Sequence, residues 1–139
     1  MKLVLDTDVV IAGLRSPTGA SAELLRMARH GRISLLISVP LFIEYEAKCT
    51  EEEHLSAAGL TAADAQAFLD ALAVFAQPVT IHYSWRPQLS DPADEMVLET
   101  AVNGQADALV TFNQRDFGKA PGQFGIELLL PSEALRRSR

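Results

Sequence analysis

Short apolar runs along the chain alternate with longer stretches in which apolar residues recur every three or four positions. A short apolar run between polar residues is typical of a strand that is buried on both faces of a parallel sheet. One shorter run, at residues 79–81, also has this character. The main runs lie at residues 2–6, 33–37, 107–111 and 126–130.

Helix-start signals precede several of the stretches between these runs. Ser38 and Asp91 are good N-cap residues, and a proline follows each of them within two residues, where the first helical turn tolerates it. Thr61 and Asp64 resemble a capping box, and Gly31 is suited to end the helix before it. Strands that alternate with helices predict an α/β fold, a three-layer α/β/α sandwich around a central parallel sheet with right-handed crossovers. The order of the strands stays open.

Loops are expected where glycine, proline and polar residues cluster. They cover residues 84–90, which include Trp85, and residues 112–125, where a helical turn is also expected. No linker and no internal repeat divides the 139 residues, so we expect a single domain over residues 1–139.

The composition predicts a folded, soluble protein, because 48% of the residues are hydrophobic and 22% are charged. No apolar run approaches the roughly 20 residues of a membrane helix. No signal peptide is visible either, so we expect a cytoplasmic protein that binds no membrane. The single Cys49 excludes an internal disulfide and a cysteine zinc cluster, and it agrees with a reducing compartment.

The net charge of −6 argues against a protein that binds nucleic acid through a broad basic surface. It does not exclude a nuclease. Clustered carboxylates raise the negative count, and bound divalent cations offset it.

Acidic residues recur where strands end or helices begin. Asp6 closes the first strand and Asp116 follows the strand at residues 107–111, whereas Glu44 and Asp94 are expected in the first turns of helices. Singly, each also fits a helix cap or a solvated surface position. Together they point to one site, because ligands collect at the carboxyl edge of a parallel sheet.

Carboxylates that converge repel one another unless they are protonated or neutralised. Hard oxygen ligands favour Mg²⁺ or Mn²⁺, and such an ion activates water and stabilises charge on a phosphoryl oxygen. The sequence therefore predicts a metal site at this edge of the sheet. Further polar residues next to these acids are expected to support it, namely Asp8, Asp91, Thr111 and Asn113.

The order of these segments resembles the PIN domain family, and within it the VapC-type toxins of bacterial toxin–antitoxin pairs. The resemblance covers nearly the whole chain and rests on residues 3–10, 16–17, 22–25, 38–44, 91–95, 106–111 and 115–117. It implies a Mg²⁺- or Mn²⁺-dependent endoribonuclease whose metal-binding acids are Asp6, Glu44, Asp94 and Asp116. It also implies an antitoxin protein whose Arg or Lys reaches the acidic site and holds the enzyme inactive.

Two positions depart from the family's usual pattern. The family often has Asn at the position of Asp8, and it often has an acid at the position of Asn113. One negative charge is thus added and another is lost, and Asp8 is a candidate to restore the lost charge.

Two other functions remain open at this point. The run Asp6-Thr7-Asp8 fits an aspartate-nucleophile phosphatase of the haloacid dehalogenase type, in which the first Asp attacks phosphorus and the second acts as acid or base. The chain is short for that fold, and no acidic pair follows Lys119 as that family requires. The other alternative is a catalytically inactive interaction module whose acidic cleft receives a basic peptide.

Residues 41–75 contain more large apolar groups than two short helices need. They predict either ordinary core or a groove for an antitoxin helix or a homodimer face. The residues concerned are Phe42, Tyr45, Leu55, Leu60, Phe68 and Phe75.

Overall fold

The computed structural model describes residues 1–84 and 86–139. Trp85, and with it part of the loop predicted over residues 84–90, lies outside the described residues. The strands are β1 (Lys2–Leu5), β2 (Ser34–Ile37), β3 (Gln77–Pro78), β4 (Ala108–Val110) and β5 (Glu127–Leu129).

The helices of the described residues connect these strands and follow the last one. They are α1 (Thr7–Arg15), α2 (Ala20–Arg29), α3 (Val39–Cys49), α4 (Glu52–Ala58), α5 (Ala62–Phe75), α6 (Pro92–Asn103), α7 (Gln114–Phe117), α8 (Ala120–Gln123) and α9 (Pro131–Ser138).

All strand pairs are parallel, and the strands lie in the order β3-β2-β1-β4-β5. The chain moves outward from β1 to β2 and β3, and it then returns to the other side of β1 for β4 and β5. Because crossovers are right-handed, this reversal places helices on both faces of the sheet. Helix α6 packs against β1, β2 and β4, whereas α1 packs against α2, α3 and α4. The predicted three-layer α/β/α fold is thus confirmed.

The predicted strand at residues 79–81 is wrong by two positions. Strand β3 consists of Gln77 and Pro78, and Val79 contributes one further hydrogen bond, from its N–H to the carbonyl of Ile37 at 2.8 Å. Proline lacks the N–H of a sheet ladder and is therefore tolerated at the edge of a sheet. β3 is the edge strand, and its place in the sequence is set by its pairing with Leu36 and Ile37 of β2 rather than by β propensity.

The residues that the sequence predicts to begin or end helices do so in the structure. Thr61 and Asp64 form a capping box, with the N–H of Asp64 on the Thr61 hydroxyl at 3.2 Å and the N–H of Thr61 on the Asp64 carboxylate at 3.0 Å. Gly31 has φ of 76° and follows α2, where only glycine adopts a left-handed conformation without strain. Residues 112–125 contain α7 and α8 rather than a single helical turn.

The apolar residues of 41–75 divide between core and surface. Tyr45 and Leu55 are buried, so the core alternative is right for these two. Phe68 and Phe75 are half-buried and line an apolar groove of about 610 Å³ between the α1–α2 pair and α5. Val74, which is 86% exposed, also lines this groove. We call it the α5 groove.

Among the described residues, no single helix is both long and apolar enough to cross a membrane. Helices α4 and α5 reach that length and composition only as a pair, which is bent by 89°.

Candidate functional site

Strand order decides where a ligand site can form. The chain reverses its direction across the sheet between β1 and β4, and in open parallel sheets ligands bind at such a switch point, beyond the carboxyl ends of the strands. Asp6 directly follows β1 and Thr111 directly follows β4. The Thr111 hydroxyl donates to Oδ2 of Asp6 at 2.7 Å, so the two strand ends are joined at this point.

Asp6 is held on both of its carboxylate oxygens. It is the N-cap of α1 and accepts from the N–H of Thr7 on Oδ1 at 2.8 Å, which satisfies one of the free amides at the helix start. Its side chain is buried, with 7% exposed. Burial raises the pKa of the Asp6 carboxyl above its ordinary value, although the hydrogen bonds from Thr111 and Thr7 oppose this.

Asp8 lies beside Asp6 and faces the segment that follows β4. Its Oδ2 accepts from the N–H of Phe112 and from the side-chain amide of Asn113, both at 3.2 Å. Its Oδ1 is buried and has no hydrogen-bond partner among the described residues. Burial, and then the charge of Asp6, raises the pKa of Asp8 to about 7.

Asp94 joins the same group from the other face of the sheet. It lies in the first turn of α6, whose N-cap Asp91 accepts from the N–H of Ala93 at 2.9 Å. Burial, and then the negative charges of Asp6, Asp91 and Asp116, raises the pKa of Asp94 to about 7. Asp94 therefore lies within electrostatic range of three other carboxylates.

Asp116 is exposed, lies in α7 and lines a polar cleft of about 490 Å³. The cleft runs between residues 87–90 and residues 115–120, and Arg115 and Lys119 also line it. Its opening thus presents basic groups beside an acidic one. We call Asp6, Asp8, Asp94 and Asp116 the acidic centre.

Within the described part of the chain, Glu44 makes no hydrogen bond or ion pair with the acidic centre, although its predicted role is that of a metal ligand there. It is the sixth residue of α3 and lies in the second helical turn, so its expected place in the first turn is wrong. Glu44 is half-buried, and its charge, together with that of Asp91, helps to raise the pKa of Lys48 after the larger effect of Glu51. Its membership in the metal site stays a prediction.

The acidic centre has the chemistry of a magnesium or manganese site, but its side chains are not gathered around one point. Among the described residues, no three carboxylates, imidazoles or thiols stand close enough together to hold an ion as they are arranged. The donors are nevertheless hard oxygens, and Oδ1 of Asp8 is a buried acceptor without a partner among the described residues. By its chemistry, this set of donors fits Mg²⁺ or Mn²⁺.

Two further contacts near the site escaped prediction from the sequence. The Tyr45 hydroxyl donates to the carbonyl of Leu5, directly before Asp6, so a residue judged only for its apolar ring holds the end of β1. Ser38, the N-cap of α3, has its hydroxyl 2.7 Å from that of Thr100 in α6. No local sequence pattern predicts either contact, because the partners are 40 and 62 residues apart in the chain.

A polar stripe on α6 holds the loop that borders the cleft. Buried Glu95 accepts from the N–H of Leu89 at 2.7 Å, Glu99 accepts from the guanidinium of Arg86, and Asn103 binds backbone N–H groups further back in the loop. These side chains are four residues apart, which places them on one face of a helix. That spacing within an otherwise apolar helix was a usable signal in the sequence.

The fold and the acidic centre define a class of protein: an α/β domain in which several elements contribute carboxylates near the switch point of a parallel sheet. A family model described as PIN domain matches residues 2–115, so the chain belongs to the PIN domain family. No curated protein matches the sequence.

Five chains among solved structures match this one. One belongs to the crystal structure of VapBC2 from Rickettsia felis bound to a DNA fragment from their promoter. The two chains have a TM-score of 0.64 and 14% identity, and the match covers 92% of this chain and 97% of the other. This likeness supports the fold.

Proposed function

We propose that this protein is a Mg²⁺- or Mn²⁺-dependent endoribonuclease and the toxin of a toxin–antitoxin pair. One observation carries the proposal: in a chain of the PIN domain family, Asp6, Asp94 and Asp116 lie within electrostatic range of one another at the switch point of the sheet. Such crowding raises the free energy of the folded protein unless protons or cations neutralise it.

We propose the following roles for the acids. Asp6 and Asp94 would bind the cation directly, and Glu44 and Asp116 would bind it or orient the attacking water. A bound Mg²⁺ or Mn²⁺ ion acidifies water and stabilises negative charge on a phosphoryl oxygen. Thr111 fixes the rotamer of Asp6 through its hydroxyl. Asp91 caps α6 and thereby positions the turn that carries Asp94.

The polar cleft favours RNA as the substrate. Arg115 and Lys119 would contact phosphates on either side of the bond next to Asp116. The rest of the chain is acidic, with a net charge of −6. Affinity for RNA should therefore be weak and salt-sensitive, and selectivity should depend on the shape of a loop or single strand.

Cleavage of labelled RNA by the purified chain tests the proposal. Cleavage should require Mg²⁺ or Mn²⁺, stop with a chelator, and fall about 100-fold or more in Asp6→Ala and in Asp94→Ala. Asp107→Ala is the matched control. That carboxylate is exposed and lies before β4, at the opposite edge of the sheet, where it accepts from the N–H of Lys2 at 2.7 Å.

Other outcomes would contradict the proposal. RNA cleavage that survives chelation, or that persists in both variants, would point to a contaminant or to another mechanism. Hydrolysis of a small phosphate monoester without RNA cleavage would favour the aspartate-nucleophile phosphatase, for which family membership offers no support. Partner binding without any hydrolysis would favour the inactive interaction module.

We infer that the α5 groove receives an apolar helix of an antitoxin protein. The groove is lined by apolar side chains of α2 and α5, with Arg26 and Arg29 at its border. An amphipathic helix with acidic flanks fits such a groove. The solved structure described above, which contains VapBC2, supports a partner of this kind.

Co-expression with the product of a small neighbouring reading frame tests this partner. Val74→Asp should prevent co-purification. Val39→Asp should leave it unchanged, because Val39 is 73% exposed but lies on α3, away from the groove. Equal loss in both variants would contradict the groove assignment. A homodimer stays a prediction, to be tested by the elution volume of the chain expressed alone.

A further inference from the structure

We propose that Asp8 is a direct ligand of the divalent cation in the acidic centre, and that Phe112 and Asn113 position its carboxylate for this purpose. The inference rests on the proposed metal-dependent function, and it adds a ligand that the expected set of Asp6, Glu44, Asp94 and Asp116 lacks.

The two oxygens of Asp8 have opposite surroundings. The backbone N–H of Phe112 and the side-chain amide of Asn113 both donate to Oδ2. The other oxygen, Oδ1, is buried and accepts no hydrogen bond from any described residue. One oxygen is therefore anchored while the other is withdrawn from water, an arrangement that supporting groups commonly impose on a metal-binding carboxylate.

A buried acceptor without a partner costs free energy. Among the described residues, no hydrogen-bond donor offsets this cost for Oδ1. Asp6 lies two positions before Asp8 and is itself held by hydrogen bonds. A divalent cation bound to both carboxylates would give Oδ1 of Asp8 the partner that it lacks.

The oxygens of Asp6 support the same conclusion. The N–H of Thr7 occupies one and the hydroxyl of Thr111 occupies the other, so both are held in place. Thr111 also accepts from the N–H of Asn113 at 2.9 Å. Asp6 and Asp8 are thus fixed by one connected network that runs through the segment after β4, and their remaining lone pairs are left for a shared ligand.

The side chains of Asn113 and Asp8 are complementary, because the amide of Asn113 is a hydrogen-bond donor and the carboxylate of Asp8 is an acceptor. A second carboxylate at position 113 would repel Asp8, whereas the amide binds it at 3.2 Å. The charge in this pair therefore belongs to Asp8. An exchange of the two side-chain types should reverse the roles and return the charge to position 113.

Direct measurement of Mn²⁺ affinity tests the proposal without reference to activity. The amplitude of the free Mn²⁺ signal in electron paramagnetic resonance gives the Kd for the wild type and for four variants. Asp8→Asn should weaken binding about 10-fold or more, and Asn113→Ala by a smaller factor of about 3, since it removes only a positioning group. The double variant Asp8→Asn/Asn113→Asp should recover at least half of the loss on a logarithmic scale. Asp107→Asn is the control and should bind as the wild type does.

Each other result has a definite meaning. A Kd for Asp8→Asn within about twofold of the wild type, in a folded variant, would overturn the role of Asp8 and leave the nuclease proposal intact. A wild type that binds no Mn²⁺ would overturn both. Melting curves in chelator show whether each variant is folded, and Asp8→Asn should melt no lower than the wild type because it removes a crowded charge.

Discussion

Crowding of carboxylates around Asp94 should make the ion-free protein less stable than a variant that lacks this charge. Burial and three neighbouring carboxylates raise the pKa of Asp94 from an ordinary 3.8 to about 7. The folded state therefore holds this proton more tightly than the unfolded state does. The stabilising contribution is fully present below pH 3.8, and it is lost as the pH rises through about 7. Asp94→Asn cannot ionise and does not suffer this loss.

The magnitude follows from the shift, with a deduction for exposure. A rise from 3.8 to about 7 corresponds to at most about 4 kcal/mol at pH 8. Asp94 is only half-buried, so water screens part of this, and we expect about 1.5 kcal/mol. The variant also loses a negative charge in the first turn of α6, which costs about 0.5 kcal/mol. The net gain of about 1 kcal/mol should raise Tm by about 3–5 °C for a chain of this size.

Thermal unfolding of both proteins in chelator at several pH values between 5 and 8 is the appropriate assay. The advantage of Asp94→Asn should grow over this range and become constant above pH 7. Glu52→Gln removes an exposed first-turn charge from α4, outside the acidic centre, and should lower Tm slightly at every pH. A variant that melts below the wild type at pH 8, or whose advantage does not change with pH, would refute the electrostatic reasoning.

Other predictions concern the structure around the site. Tyr45→Phe should lower stability by about 1–3 kcal/mol in chemical denaturation, because the carbonyl of Leu5 loses a buried donor; an unchanged unfolding midpoint would contradict this. Gly104→Ala should cost about 1–3 kcal/mol in the same assay, since a Cβ there would lie 2.7 Å from the Leu36 side chain and 3.0 Å from a backbone oxygen. Gly122→Ala, with nothing within 4 Å of the added carbon, should be nearly neutral. Glu95→Ala should speed hydrogen exchange of the Leu89 amide and proteolysis within residues 86–90, and equal protection in both proteins would show that α6 does not hold the loop.

The sequence alone determined the elements and their alternation. Apolar runs specify buried strands because helices cover both faces of a parallel sheet, so that consecutive residues of a strand must all be apolar. A few consecutive residues are therefore enough to recognise such a strand. Caps such as Ser38, Thr61 and Asp91 act on the adjacent helix turn, so they too can be recognised locally. The positions of Asp6 and Asp94 at a strand end and a helix start follow from the same local signals.

Only the tertiary structure decided which of these residues meet. The order of the strands places β1 beside β4, and this brings Thr111 and Asn113 to Asp6 and Asp8 across 105 positions of the chain. The same packing buries Oδ1 of Asp8, which has no hydrogen-bond partner among the described residues. It also places Tyr45 in the core and pairs Gln77 and Pro78 with β2 at the sheet edge. Periodicity reports the surroundings of a residue along its own helix or strand. Burial, charge crowding and hydrogen bonds between distant segments depend on how those elements pack, and they are set when the sheet assembles.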